Sequence, residues 1–257
     1  MTSPFAGALC LLLLVNMFIK NVKDPQVPRG RGRPKGTTAQ GLKTRRRLFH
    51  AAVALMAERG YDAATLRDVA SKARVSPGLL YRYFPSKQSV VLTLYDELSA
   101  EYADAALAMP TGRWRERFLF ALRTSLAVLK PHRGTLSKLT PLLIGDSQEG
   151  LFSERTAFSR ARVMQTFERA VVGARDAPRA EIAAPLGRLL YLVHLAVLLW
   201  WLMDRSSQQR ATAGLVNLIE QTLPSASLVL RFSPVVRLLR TGDALFSSAL
   251  LPGDQTT

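Results

Sequence analysis

The chain has 257 residues, 48% of them hydrophobic and 21% charged, enough for a small N-terminal module and one larger packed domain. Its single cysteine, Cys10, excludes an internal disulfide framework and a cysteine-rich zinc site, and fits a reducing cytoplasm. The net charge of +16 is unevenly spread: residues 1–87 carry 16 Lys+Arg against 4 Asp+Glu, a net of +12, and the other 170 carry 19 against 15, a net of +4. Such a concentration is the footprint of a phosphate-binding surface; the plainer alternative is a solvated basic face. Helical spacing of apolar residues dominates and strand-like alternation is absent, which predicts an all-α fold.

Residues 4–19 (PFAGALCLLLLVNMFI) are apolar but short for a membrane span, with no basic residue before the apolar run and no clear cleavage site after it. Three readings compete: a membrane anchor, an extra helix docked on the core, or a start placed upstream of the true one, with Met17 as one alternative. The last, or a poorly ordered tail, is favoured. Residues 20–47 are rich in Gly, Pro and cations; from 29 to 47 there are eight basic residues and no acidic ones, as in a flexible extended arm. Within it Arg31-Gly32-Arg33-Pro34 resembles the core of an AT-hook. Arginine is drawn into a narrow minor groove by its negative potential, and glycine lets the backbone lie near the groove floor. The other reading is a solvated linker.

Residues 43–59 form the first predicted helix, with Leu48, Ala52 and Leu55 on one stripe and Gly60 as its C-cap. Arg45, Arg46 and Arg47 oppose the dipole at its start, an arrangement that makes sense beside phosphates. His50 is taken as a surface or packing histidine. Residues 65–87, TLRDVASKARVSPGLLYRYFPSK, read as two short helices around a turn near Arg74-Val75. Thr65 caps the first, with Asp68 three residues on. Ser76 caps the second, Pro77 sits in its first turn, and Pro85 ends it. Leu66, Val69, Ala70, Leu80 and Phe84 face the core. Two such helices make a helix-turn-helix, whose second member enters the major groove; an ordinary helical hairpin is the alternative. The wording of residues 43–95, above all LRDVA, VSPGLLYRYFPSK and SKQSVVLTLYD, closely resembles the DNA-binding domain of the TetR family of one-component regulators.

A long helix follows over 87–109, then helices over 113–130, 135–144 (broken or kinked near Pro141), 153–174, 181–204 and 211–223. Residues 225–251 hold an apolar segment, interrupted by Pro234, whose placement the sequence does not decide. The helix at 181–204 is apolar nearly all round, so it either spans a membrane or is buried by several neighbours. Pro185, Arg188 and His194 favour burial. The expected division is residues 1–42 as an apolar segment and basic arm, 43–87 as DNA reader, 88–251 as effector-binding and dimerisation domain, and 252–257 as tail.

The resemblance implies a homodimeric, cytoplasmic repressor of double-stranded DNA, paired through helices near 186–203 and 211–223 and released by a small, apolar effector. It also implies site residues. Arg67 takes the position that faces guanine, where a guanidinium can donate twice. Ser76, Pro77, Gly78 and Leu79 open the recognition helix toward the groove, Tyr81 and Tyr83 touch backbone or base edges, and Arg82 is exposed nearby. Thr65 and Lys87 contact phosphates, and Lys43, Arg46, Arg31 and Arg33 extend the basic surface. Candidate effector contacts are Tyr102, Trp114, Phe118, Phe158, Phe167, Tyr191, His194 and Trp200, each equally readable as core. No cofactor or metal is expected, and no enzyme. His50, His132, His194 and Cys10 lie far apart, and no phosphate loop or nucleophile motif is present. A membrane-tethered regulator and a basic architectural protein stay as rivals.

Overall fold

The computed structural model describes residues 38–145, 150–230 and 232–251, so the expectations placed on residues 4–19 and on Arg31 and Arg33 lie outside the described residues. These residues form ten α-helices, four short 3-10 turns and no strand: α1 Ala39–Arg59, α2 Leu66–Lys72, α3 Pro77–Tyr83, α4 Lys87–Ala105, α5 Trp114–Leu129, α6 Arg133–Gly145, α7 Ala157–Val172, α8 Ala180–Met203, α9 Arg210–Val229 and α10 Ser233–Leu250. The all-α reading holds.

Local chemistry sets the first three boundaries. Gly60 closes α1 at φ +84°, a left-handed conformation that glycine adopts without strain. Thr65 and Asp68 form the expected capping box: the Thr65 hydroxyl accepts from the Asp68 amide at 3.1 Å, and the Asp68 carboxylate accepts from the Thr65 amide at 3.3 Å. Between α2 and α3 the chain reverses at Arg74, which takes φ +52°, and Val75 then donates to the Ala70 carbonyl. Ser76 caps α3 by accepting from the Leu79 amide, with Pro77 in the first turn.

Three prolines behave differently from the sequence expectation. Helix α6 continues through Pro141, and α9 runs on through Pro224 to Val229. Both prolines are exposed, so the carbonyl that each ring leaves unpaired lies on the side of the helix that meets solvent. Pro234 starts a helix instead of interrupting a segment, because the first turn of α10 needs no amide donor there.

Two apolar clusters result. In the first, Leu48, Leu55, Leu66, Val69, Leu80, Phe84, Val90 and Val91 from α1–α4 pack with Leu136, Leu139 and Leu143 of α6 and Trp201 and Leu202 of α8. The helix-turn-helix therefore shares its core with helices of the larger body. The second cluster gathers Phe118, Phe167, Leu186, Tyr191 and Phe246 from α5, α7, α8 and α10. Helix α8 is long and apolar enough to cross a membrane by length and composition alone. Here ten of its residues are buried, and its last carbonyls are held by Arg133, which donates to Trp201 and Asp204.

Helices α7 and α8 approach closely at Gly187. A Cβ there would lie 2.6 Å from the Glu168 Cα and 3.1 Å from its amide nitrogen. Alanine would gain about 1 kcal/mol of helix propensity, but it meets rigid backbone, and overpacking of this kind costs about 1–3 kcal/mol. Gly187→Ala should therefore lower stability, by up to about 2 kcal/mol, in urea denaturation. A rise would contradict the close approach.

Candidate nucleic-acid interface and ligand cavity

Burial of Leu80 and Phe84 on the inner side of α3 turns the opposite side outward. Ser76, Pro77, Gly78, Tyr81 and Arg82 are exposed, and Leu79 is half-buried. A side chain built on Gly78 would meet nothing within 4 Å, so another backbone or a base can come close there. Arg67 is exposed on α2 and makes no hydrogen bond or ion pair among the described residues. Tyr83 is half-buried and packs on the first cluster.

Two expected phosphate ligands are partly spent inside the protein. The Thr65 hydroxyl donates to the Asp68 carboxylate at 2.8 Å, besides accepting from the Asp68 amide. The Lys87 ammonium donates to the Tyr61 and Asp62 carbonyls at 2.7 and 3.2 Å and lies 4.4 Å from the Tyr61 ring centre, which fixes the α1–α2 loop on α4. One ammonium donor is left. Arg45 is also engaged, donating to Thr93 and lying over Phe84.

Two of the three acids of this region are already paired, Glu58 with Lys72 at 2.7 Å and Asp68 with Arg59 at 3.4 Å. Lys43, Arg46, Arg47, Arg67, Arg74 and Arg82 are exposed and have no acidic partner among the described residues. Exposed cations without acidic partners are of the kind that suits anion binding.

The same α4 that follows the helix-turn-helix lines a cavity of about 400 Å³ with its Tyr95, Leu98, Ser99 and Tyr102. Ser125 and Leu129 of α5, Leu136, Thr140 and Leu143 of α6, Arg160 and Val163 of α7, Tyr191, His194, Leu195, Leu198 and Leu202 of α8, and Leu250 of α10 are among the other wall residues. Its volume suits a small organic ligand. Of the sequence candidates, Tyr102, Tyr191 and His194 come together here. Phe167 lies behind them, its ring centre 4.8 Å from that of His194, and Phe118 packs on Phe167 at 6.0 Å. Trp114 lines a separate, larger cleft of about 1560 Å³ near the starts of α5 and α8. Phe158 is 70% exposed with the Arg162 guanidinium 4.4 Å from its ring, and Trp200 is 49% exposed on the outer side of α8. Sequence reasoning missed Tyr95, Ser99 and Ser125. Tyr95 could have been found, since it shares a helical face with Leu98 and Tyr102.

Outside the cavity, α8 exposes Val193, Trp200 and Met203 and α9 exposes Leu218, while Leu199, at the cavity's edge, is also partly exposed. Such apolar exposure is unusual for a monomer.

His194 is buried and keeps one hydrogen bond, with Nε2 2.8 Å from the Ser125 hydroxyl. Burial pushes its pKa down from 6.5 to about 3. Between those values the unfolded chain binds a proton that the folded chain refuses, so stability falls as pH falls through this window. Acidifying from pH 7 to pH 5 should remove about 2 kcal/mol through this residue. Comparison of wild type with His194→Gln in urea at both pH values isolates the effect; parallel pH slopes would contradict a buried, neutral His194.

Comparison with known proteins adds the following. Residues 48–94 match the family described as bacterial regulatory proteins of the tetR family. The HTH-type transcriptional repressor KstR of Mycolicibacterium smegmatis is 36% identical over 88 residues, 33% of this chain and 43% of that protein. A probable acrEF/envCD operon repressor of Escherichia coli is 32% identical over 96 residues, 35% of this chain and 44% of that protein. The matched stretch thus spans less than half the length of these relatives. Among solved structures, a tetR-family transcriptional regulator from Streptomyces coelicolor aligns with TM-score 0.55 at 21% identity, covering 79% of this chain and 89% of that one. The regulator FadR from Bacillus subtilis, solved with stearoyl-CoA, aligns with TM-score 0.54 at 15% identity, covering 68% of this chain and 96% of that one. At these identities the structural matches speak for the fold: an N-terminal helix-turn-helix on a helical body.

Proposed function

Because the chain carries the DNA-binding domain of the tetR family of bacterial regulators on a helical body of the same fold, we propose that it is a sequence-specific, homodimeric transcriptional repressor released from its operator by a small apolar ligand. The observation that carries the reading is the outward face of α3 and the exposed cations without acidic partners, which suit a groove edge and its flanking phosphates. Arg67 then reads a base, residues 76–79 approach the groove, Tyr81 and Tyr83 touch its edges or backbone, and Lys43, Arg46, Arg82 and the last donor of Lys87 hold phosphates.

Residues 43–87 act as the reader and 88–251 as the effector-binding and dimerisation part. Release follows from the position of the cavity on α4. A helix passes on a displacement as a rigid rod, and a ligand that binds one tilt of α4 more tightly than another shifts the reader with it. The apolar walls favour an apolar effector; a fatty-acyl chain, such as the one carried by the ligand of FadR, is one body of that kind. Dimerisation through α8 and α9 would cover Val193, Leu199, Trp200, Met203 and Leu218. Such a regulator works in the cytoplasm and carries out no reaction.

The test is a competition titration of the purified chain against its own upstream DNA and a scrambled duplex of equal composition, at two salt concentrations. Preference for the upstream DNA by more than about 100-fold supports site-specific control, since specific binding exceeds non-specific by roughly 10³ or more. Equal, steeply salt-dependent binding to both would support the architectural alternative.

A further inference from the structure

Among the described residues, the Tyr102 hydroxyl and Nδ1 of His194, both on residues that line the cavity, have no hydrogen-bond partner. Both residues are 2% exposed. Their rings lie nearly parallel, 4° apart, with centres 6.4 Å from each other, one on α4 and the other on α8. Buried polar groups in native proteins are nearly always satisfied, so a pair of orphans on one apolar cavity points to something that enters it.

The bond between Ser125 and His194 bears on which chemistry they want. Ser125 is buried, and its hydroxyl has one partner among the described residues, Nε2 of His194 at 2.8 Å. If Nε2 carried the proton, the serine proton would have no acceptor. With Ser125 donating to Nε2 instead, the imidazole proton lies on Nδ1, and both protons are paired once an occupant of the cavity accepts from Nδ1. Nδ1–H and the Tyr102 O–H are then two donors without an acceptor. The histidine is neutral, so the pair offers no charge to an anion. The cation in the wall, Arg160, already donates through Nη1 to the Leu151 and Ser153 carbonyls at 3.1 and 3.0 Å.

Resting on the effector-release reading above, we propose that the effector is a neutral, largely apolar molecule presenting one carbonyl oxygen, and that this oxygen accepts from Tyr102 and from Nδ1 of His194. A carbonyl has two lone pairs and can accept both bonds. Ketones, esters and thioesters qualify; carboxylates would be buried beside a neutral imidazole at the cost of their hydration. The anchor also joins α4 to α8, so the occupant grips the helix that carries the reader.

Equilibrium binding is measured calorimetrically on the full chain with four probes of matched length: methyl myristate, tetradecane, myristyl alcohol and myristate. In wild type the ester should bind tightest, by roughly tenfold over the alkane for each bond made. Tyr102→Phe keeps the ring and removes an unpaired hydroxyl, so it should fold as well as wild type and lose roughly tenfold of the ester preference. The proposal is overturned if the alkane or myristate matches the ester, if Tyr102→Phe keeps the full preference, or if no probe binds. Titrating DNA with each probe present separates the two readings. Ester binding with the expected preference but unchanged DNA affinity leaves the anchor standing and removes the release mechanism. Site-specific DNA binding with no ester preference does the reverse.

Discussion

Asp243→Ala is expected to destabilise the fold by about 3 kcal/mol, at the low end of what breaking a buried ion pair costs. The Asp243 carboxylate accepts two hydrogen bonds from the Arg188 guanidinium, both at 2.7 Å, and Glu168 adds an ion pair at 3.3 Å. The side chains are 10% exposed for Asp243 and 25% for Arg188, so the charge left behind would be poorly hydrated. Asp243, and behind it Glu168, holds the Arg188 pKa above its ordinary value. Through this fork α10 is fixed to α8 and α7, and α10 brings Leu250 to the cavity and Phe246 edge-on to Phe152. Loss of the fork should lower Tm by roughly 10 °C for a chain of this size. The double variant Arg188→Leu, Asp243→Leu should recover most of the loss, because both charges go and apolar volume stays. A single-variant loss below about 1 kcal/mol would mean that the pair is effectively a surface bridge.

The second large effect is on DNA. Arg67→Ala should weaken operator binding about tenfold to a hundredfold per half-site, the worth of a bidentate contact to guanine, and leave binding to scrambled DNA almost unchanged. Arg67 is exposed and bonded to no neighbour among the described residues, so stability should move by less than about 0.5 kcal/mol. Arg47→Ala is the contrast: as a phosphate contact it should weaken binding to all duplexes alike and reduce the salt slope by about 1. Equal losses on both DNAs for Arg67→Ala would move that residue to the phosphates and leave specificity to the arm and to DNA shape.

Much of the reader was legible because its signals are local. The Thr65–Asp68 box, the Ser76-Pro77 start and the Gly60 stop each need only three or four consecutive residues to act, and each stands where the pattern put it. The reversal at Arg74 was legible in place but not in form, since a left-handed arginine leaves no mark in composition. Pro141 reads as a break or a kink, and the helix from 211 is expected to stop at 223, before Pro224, because sequence does not report which side of a helix meets water. The cavity was half-legible for a related reason. Tyr102, Tyr191 and His194 lie on inward stripes of α4 and α8, whereas Phe158 and Trp200 sit on helices just as apolar but face outward. Lys87 and Thr65 carry the chemistry expected of them, yet they spend much of it on Tyr61, Asp62 and Asp68, contacts that only the folded chain brings about.

The most direct test of the central claim, a dimeric reader of a specific DNA sequence, is selection of bound duplexes from a randomised pool by the full chain at near-physiological salt. The account predicts enrichment of one inverted repeat, its half-sites about one helical turn apart, and loss of the consensus base facing Arg67 when Arg67→Ala is selected in parallel. Recovery of A·T-rich duplexes without a shared motif, unchanged in the variant, would contradict it.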